Sequence, residues 1–174
     1  MLKKIIRRFK LLTALEASVT ALIGFLLGAW ISHYLHAGSP LIGGLWAMIS
    51  AVIIGHVNYR EMLNNAKNRV LGTLIGVLIS WIVFSFMGYH DESFFIGMLL
   101  SVMICAFFKL SLYRLSCITV AIIFAVSQVG GIYISPWVNA SSRFLESCVG
   151  VAIALVLSGL IYFIRKRFDL TEPA

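Results

Sequence analysis

Two arginines stand in matching surroundings within the apolar body of this chain: Arg69 in "NNAKNRVLGTLIGVLI" (64–79) and Arg143 in "VNASSRFLESCVGVAI" (138–153). A guanidinium presents a planar fork of donors that fits a carboxylate with two parallel hydrogen bonds, so both are candidate readers of an anionic substrate. Each follows a polar stretch and opens an apolar one. That predicts a cation at the positive end of a helix dipole, unfavourable by about 0.3–1 kcal/mol until something negative compensates. The competing reading is structural, with Arg69 meeting lipid phosphate and Arg143 pairing with Glu146 one turn on. Glu16 and Glu146 lie just inside apolar stretches, where carboxylates are rare, and both are candidates for carrying a proton. For Glu16 the plainer alternative is a nearby basic residue that satisfies it.

Other side chains could meet a substrate. Trp46 and Trp81 sit deep in apolar stretches and could stack on an aromatic ring, whereas Trp30 and Trp137 fit a boundary belt. Gln128, with Ser127 and Gly130–Gly131, reads as a loosened helix end that exposes backbone groups. His56 and Asn58 are pathway residues or plain interface polars. His33, His36, His90, Asp91 and Glu92 read as water-facing loop residues rather than a metal site. Cys105, Cys117 and Cys148 are odd in number and form no C-x-x-C, so neither a disulfide framework nor a metal centre is expected. No nucleophile–base pair or paired carboxylates at one depth emerges, so no catalytic residue and no cofactor is expected.

The elements that must position these residues follow from composition. Charged residues are 12% of the 174, against about 25% in soluble domains. Apolar residues are 60% and the mean hydropathy is +0.97. A membrane-crossing helix needs about 20 apolar residues. The chain reads as an all-α integral membrane protein with six spans, near 12–36, 40–57, 69–88, 93–109, 112–132 and 143–164. A basic amphipathic interfacial segment (1–11) precedes the transmembrane domain (12–164), and a short tail (165–174) follows it. The first span is too long for a signal peptide, contains Glu16 and lacks a following A-x-A site, so retention is expected. With the N-terminus in the cytoplasm, thirteen of the fourteen lysines and arginines fall inside and only Arg143 outside, as the inside-positive bias requires. Both termini are then cytoplasmic, with anionic lipid as the expected partner of the basic face and no nucleic acid.

The two arginine phrases belong to a longer repeat. Residues 40–79 laid over 114–153, an offset of 74, match at thirteen of forty positions, among them Tyr59/Tyr133, Asn65/Asn139, Arg69/Arg143 and Gly76/Gly150. Each copy holds three expected spans (about 12–88 and 93–164), and an odd number of crossings re-enters the membrane inverted. The copy assigned outside has lost two of three charges: Arg60, Lys67 and Arg69 face Ile134, Ser141 and Arg143. Inverted repeats are characteristic of secondary transporters, whose site lies between the repeats at mid-depth. Duplication that serves folding alone is the plainer reading.

Small residues recur four apart: Gly43, Ala47, Ala51 and Gly55, then Gly72 and Gly76, then Gly150 and Ala154. Such stripes let helix backbones approach closely in lipid, and packing is their expected role.

At "LWAMISAVIIGHVNYREMLNNAKNRVLGTLIG" the chain resembles the FUSC-like superfamily, which includes fusaric acid resistance proteins, aromatic acid exporters and, more distantly, plant malate transporters. The residues that carry the resemblance are Trp46, then Arg69, Gly72, Thr73 and Gly76, and in the last span Arg143, Glu146 and Gly150. The resemblance implies a six-span unit, often doubled or dimerised, that exports organic anions such as aromatic carboxylates. Larger members carry a soluble cytoplasmic domain after the spans, where this sequence reads only "RKRFDLTEPA", which puts coupling through such a domain in doubt.

The expected function is export of organic anions by alternating access from a bacterial inner membrane. The alternatives are an anion channel of the same architecture and an accessory membrane protein without transport. Six helices are few to enclose a path for a carboxylate-bearing ring, so a homodimer is expected.

Overall fold

The computed structural model describes residues 11–35, 39–55, 59–108, 111–128 and 135–167. The basic segment 1–10, the tail 168–174 and His36, His56, Asn58, Lys109, Gly130 and Gly131 lie outside them. Six α-helices and no strand are found among the described residues. They are α1 (Leu11–Tyr34), α2 (Pro40–Ile54), α3 (Tyr59–Met87), α4 (Asp91–Phe107), α5 (Tyr113–Gln128) and α6 (Pro136–Arg167).

Local chemistry explains three of the helix boundaries. Pro40 opens α2 after an extended Ser39, where a missing N–H costs nothing. At the start of α4, Ser93 Oγ accepts from the His90 N–H at 3.0 Å, and Asp91 and Glu92 fill the first turn, where the dipole favours negative charge. Gly88 ends α3 with φ +72 and donates its N–H to Phe84 O at 3.0 Å. A left-handed residue there favours glycine.

Helices α3 and α6 begin at Tyr59 and Pro136, ahead of the starts expected near 69 and 143. Arg69 and Arg143 therefore lie well inside their helices, and the expected placement at a dipole's positive end does not hold. The polar residues Asn64, Asn65, Lys67 and Asn68 are adequate helix formers once the helix is packed, and Met62 and Ala66 are buried with Val151 and Ala154 of α6. Conversely, α2 stops at Ile54, with Gly55 as its C-cap, short of the end expected near residue 57. Among the described residues, three helices are long and apolar enough to cross a membrane: Thr13–Tyr34, Tyr59–Met87 and Pro136–Ile164. α2, with 15 residues, extends only about 22 Å at roughly 1.5 Å per residue.

The surface is inverted relative to a water-soluble protein. Phe86, Phe107, Val156, Phe163 and Trp30 point outward, while Ser50, Arg69, Thr73, Asn139, Arg143, Glu146 and Ser147 are buried. Hydrocarbon is the solvent that suits this arrangement, because polar groups facing it must find partners within the protein.

Small residues set the close contacts. Helices α1 and α2 run antiparallel, with Gly24 against Met48 and Ala51, Gly28 against Ala47, and Ser32 against Gly43. In α4 and α5, Gly97 meets Val120 and Ser101 meets Ser116, again antiparallel. The long helices α3 and α6 also cross antiparallel. Tyr59 packs on Tyr162 at one end, Thr73 meets Ser147 in the middle, and Trp81 packs on Trp137 at the other end. Each substantial helix contact has a counterpart when α1, α2 and α3 are exchanged for α4, α5 and α6. Thus α2 packs on α6 as α5 packs on α3, and α1 touches α6 as α4 touches α3.

Candidate functional site

The polar centre forms where α2 lies along the crossing of α3 and α6. Gly150 on α6 brings the backbones together: a Cβ there would collide with the Ala47 carbonyl oxygen and stand 2.9 Å from Ser50 Cβ. Without that side chain, Trp46 and Ser50 on α2 reach α6 directly. The Trp46 indole Nε1 donates to Arg143 O at 3.0 Å, and Ser50 Oγ lies 3.3 Å from Ser147 Oγ. Ser147 Oγ is in turn 3.2 Å from Thr73 Oγ1 of α3. Three helices are thus joined through two serines and a threonine.

Arg69 enters this centre from α3 with no exposed surface. Its Nε and Nη2 both donate to Ser50 Oγ, at 3.1 and 2.9 Å, and the Ser50 hydroxyl donates in turn to Trp46 O at 2.8 Å. The Arg69 Cζ lies 4.5 Å from the Trp46 ring centroid. Nη1 has no hydrogen-bond partner, and among the described residues no carboxylate pairs with this guanidinium. A desolvated cation–π contact contributes about 2 kcal/mol, whereas burying an ion costs several kcal/mol. One hydroxyl and one aromatic face therefore leave Arg69 undercompensated, and a carboxylate is the group its fork fits.

Arg143 is equally buried but differs in its partner: its Nη1 stands 2.8 Å from Glu146 Oε2 on the same helix. The pairing with Glu146 one turn on, which the structural alternative expects, is present. The other carboxylate oxygen, Oε1, crowds Gly43 of α2 together with Ser32 Oγ of α1. A Cβ on Gly43 would stand 2.6 and 2.7 Å from those two atoms. At the offset of 74 the position matching Glu146 is Gly72, where a Cβ would stand 2.6 Å from Leu115 Cβ. One arginine of the pair thus carries its own carboxylate, and the other has leucine packing in its place.

The remaining expected residues fall elsewhere. Trp81 packs edge-on against Trp137 at 5.0 Å, twelve residues or about 18 Å along α3 from Arg69 at roughly 1.5 Å per residue. Gln128 Nε2 donates to Tyr89 O at 3.4 Å at the end of α5. Glu16 borders a cavity between α1, α2 and α6. Gly43, Ala47 and Ala51 form the buried face of α2, with Gly55 at its C-cap. Gly76 meets Ser116 O of α5 as Gly150 meets Ala47 O, five residues short of the Ala121 that the offset pairs with Ala47. Sequence reading missed Ser50 and Ser147 as the centre's connectors. Ser50 lies one turn after Trp46, and Ser147 matches Thr73 at the offset of 74, which was the available signal.

Among the described residues no group of three or more histidines, cysteines or carboxylates could hold a metal ion. Over residues 23–157 the chain matches a family model described as fusaric acid resistance protein-like. No curated protein matches it, and no solved structure does.

Proposed function

The chain belongs to the fusaric acid resistance protein-like family, and on that premise we propose that it exports organic anions, aromatic carboxylates foremost, by alternating access. The family is one of membrane transporters rather than enzymes, so transport of acids is the starting point, and the substrate class is read from the site. The observation that carries this reading is Arg69: wholly buried, stacked on Trp46 and unmatched by any carboxylate among the described residues. A substrate carboxylate accepts the Nη1 side of its fork, and an attached ring finds the indole of Trp46 beside it. Arg143, already paired with Glu146, holds the α6 side of the site in shape.

Alternating access rests on an inverted repeat of α1–α3 and α4–α6. It is supported by the antiparallel crossing of α3 and α6 at Thr73 and Ser147, equivalent positions of the two copies. The symmetry of the helix contacts under exchange of the halves supports it further. Six crossings require α2, α4 and α5 to span with their connectors, and both termini then lie in the cytoplasm of a bacterial inner membrane. The unit works as a homodimer, its basic face against anionic lipid.

The test is purified protein in liposomes given a panel of aromatic and dicarboxylic acids. Saturable flux that Arg69→Ala removes, with the variant correctly inserted, is the expected result. Steady voltage-following current would point to a channel, and full flux in the Arg69→Ala, Arg143→Ala double variant would remove both arginines from the mechanism.

A further inference from the structure

A column of polar side chains runs along the crossing of α3 and α6. On α3 it comprises Arg69, Thr73 and Ser80, and on α6 Ser147, Arg143 and Asn139, each at most 1% exposed. Steps of four and seven residues keep each set along one side of its helix. The Thr73–Ser147 contact at 3.2 Å and the Trp81–Trp137 contact at 5.0 Å fix an antiparallel register, which sets Ser80 level with Asn139. In the other direction from Arg69 the neighbours across the crossing are apolar, with Met62 and Ala66 packed against Val151 and Ala154. The polar run therefore continues from Arg69 toward the end where α6 begins.

Two atoms at the far end of this column are unmet. Ser80 and Asn139 are both 0% exposed, yet Ser80 Oγ and Asn139 Oδ1 have no hydrogen-bond partner. Both residues converge on α5. Gly72 packs against Leu115 and Gly76 against Thr119, so α3 and α5 run parallel, and the next equal step brings Ser80 level with Ile123. Asn139 Nδ2 donates to the Ile123 carbonyl at 2.9 Å, which fixes the amide and leaves its oxygen as the unmet end. Val77, Val83, Phe84, Val120 and Ala140 belong with Ile123 to one apolar cluster here. Close packing does not demand a hydroxyl at this place, because the position that matches Ser80 at the offset of 74 is Ala154, itself buried. Buried polar atoms without partners are destabilising, and two at one level call for a conformation in which water or a polar solute reaches both.

On the transport reading, we propose that the exported anion leaves Arg69 along this column, and that Ser80 and Asn139 form its outer station, dry in this conformation and wetted when the α3–α6 crossing opens outward. The chemistry suits a hydrated carboxylate. The Ser80 hydroxyl donates to an anion oxygen, and Asn139 Oδ1 accepts from the water that accompanies it. Ser80 lies seven residues beyond Thr73, about 10 Å at roughly 1.5 Å per residue, so the station is a step removed from the midpoint contact of the two helices. The unmet pair favours opening, because water then satisfies both atoms, whereas the surrounding apolar cluster favours closure. Opposed terms of this kind leave neither state strongly preferred, as a path that opens and shuts requires.

The experiment is thiol labelling of Ser80→Cys, Asn139→Cys, Ile79→Cys and Ala140→Cys in the full-length protein, in intact cells, with the membrane-impermeant anion sulfonatoethyl methanethiosulfonate added outside. Mass spectrometry reads each site separately, so Cys105, Cys117 and Cys148 stay in place. Ile79 and Ala140 are chain neighbours of the station and are buried in the apolar cluster. Only a thiolate reacts, and a thiol in apolar surroundings stays protonated and inert, so Ser80→Cys and Asn139→Cys should label about tenfold or more faster than the two neighbours. In liposomes, labelled Ser80→Cys should lose most of its anion flux, because the sulfonate tether occupies the column. Equal rates at all four positions overturn the inference, as does labelling confined to inside-out vesicles or flux untouched by complete labelling of Ser80→Cys. If Asn139→Cys does not fold, Ser80→Cys against Ile79→Cys decides alone. Flux without fast labelling removes the station and leaves the transport reading standing, whereas fast labelling without flux of any acid in the panel removes the transport reading.

Discussion

Thr73 and Ser147 are 74 positions apart in the chain and 3.2 Å apart at their hydroxyl oxygens, so the offset that relates the two copies of the repeat also joins them in space. Residues related by a two-fold rotation meet only on its axis. The two-fold axis of the proposed inverted repeat passes through this contact, roughly perpendicular to the antiparallel α3 and α6. On the proposed reading, this contact is the point about which the halves rock.

A crosslink there is the direct consequence. The Thr73→Cys, Ser147→Cys pair should form an intramolecular disulfide under mild oxidation, seen as rejoined fragments after cleavage in an intervening loop. Flux should stop on oxidation and return on reduction if the crossing angle changes during transport. Flux indifferent to the crosslink would place the moving contact elsewhere.

The two arginines should fail differently. Arg143→Ala leaves Glu146 buried without its ion pair, a change that costs about 3–5 kcal/mol and should appear as lost thermal stability. Arg143→Met with Glu146→Leu removes both charges and should recover most of that loss. Arg69→Ala removes a buried cation that has no carboxylate partner among the described residues, so stability should hold or rise while anion flux falls. A large Tm loss in Arg69→Ala would mean that its charge is already compensated.

Trp46 has two separable contacts. Trp46→Phe deletes the Nε1 bond to Arg143 O but keeps an aromatic face for Arg69, and should cost about 0.5–1.5 kcal/mol. Trp46→Ala empties a wholly buried site and should cost about 3–5 kcal/mol. Thermal unfolding of both variants checks the order, and substrate KM should rise more for Trp46→Ala if the ring also receives substrate.

Gly150→Ala forces a carbon into the Ala47 carbonyl, an overpacking expected to cost about 1–3 kcal/mol. Nine residues along the same helix, Gly159→Ala meets open space and should be neutral or slightly stabilising through helix propensity. Parallel Tm measurements on the two variants decide whether the glycine is required for close approach or merely permitted.

Hydropathy and spacing determined a great deal here. An apolar fraction of 60% with only 12% charged residues points to lipid as the solvent, and apolar runs of about 20 residues point to helices, which satisfy their backbone groups internally. The small residues at four-residue spacing marked contact faces of α2, α3 and α6, and the glycine-based motifs marked the family. The offset of 74 singled out Arg69 and Arg143 as a pair. These features are written in local periodicity, which one chain displays by itself.

Tertiary structure decided which polar groups meet. Asn64 to Asn68 looked like a connector but are helical, because packing of Met62 and Ala66 against α6 outweighs modest propensity differences. Arg69 and Arg143 have equivalent places in the sequence, yet among the described residues only Arg143 has a carboxylate beside it. That asymmetry arises from which residue of α5 or α2 faces each helix: Leu115 fills the space at Gly72, whereas Gly43 leaves room for Glu146. Ser50, Ser147 and Thr73 join into one network only through the Gly150 contact, and Ser80 comes level with Asn139 only because α3 packs on both α5 and α6. Sequence fixes what each helix face offers, but the partner of a buried polar group is set by neighbours distant in the chain, whose register depends on the packing of the whole bundle.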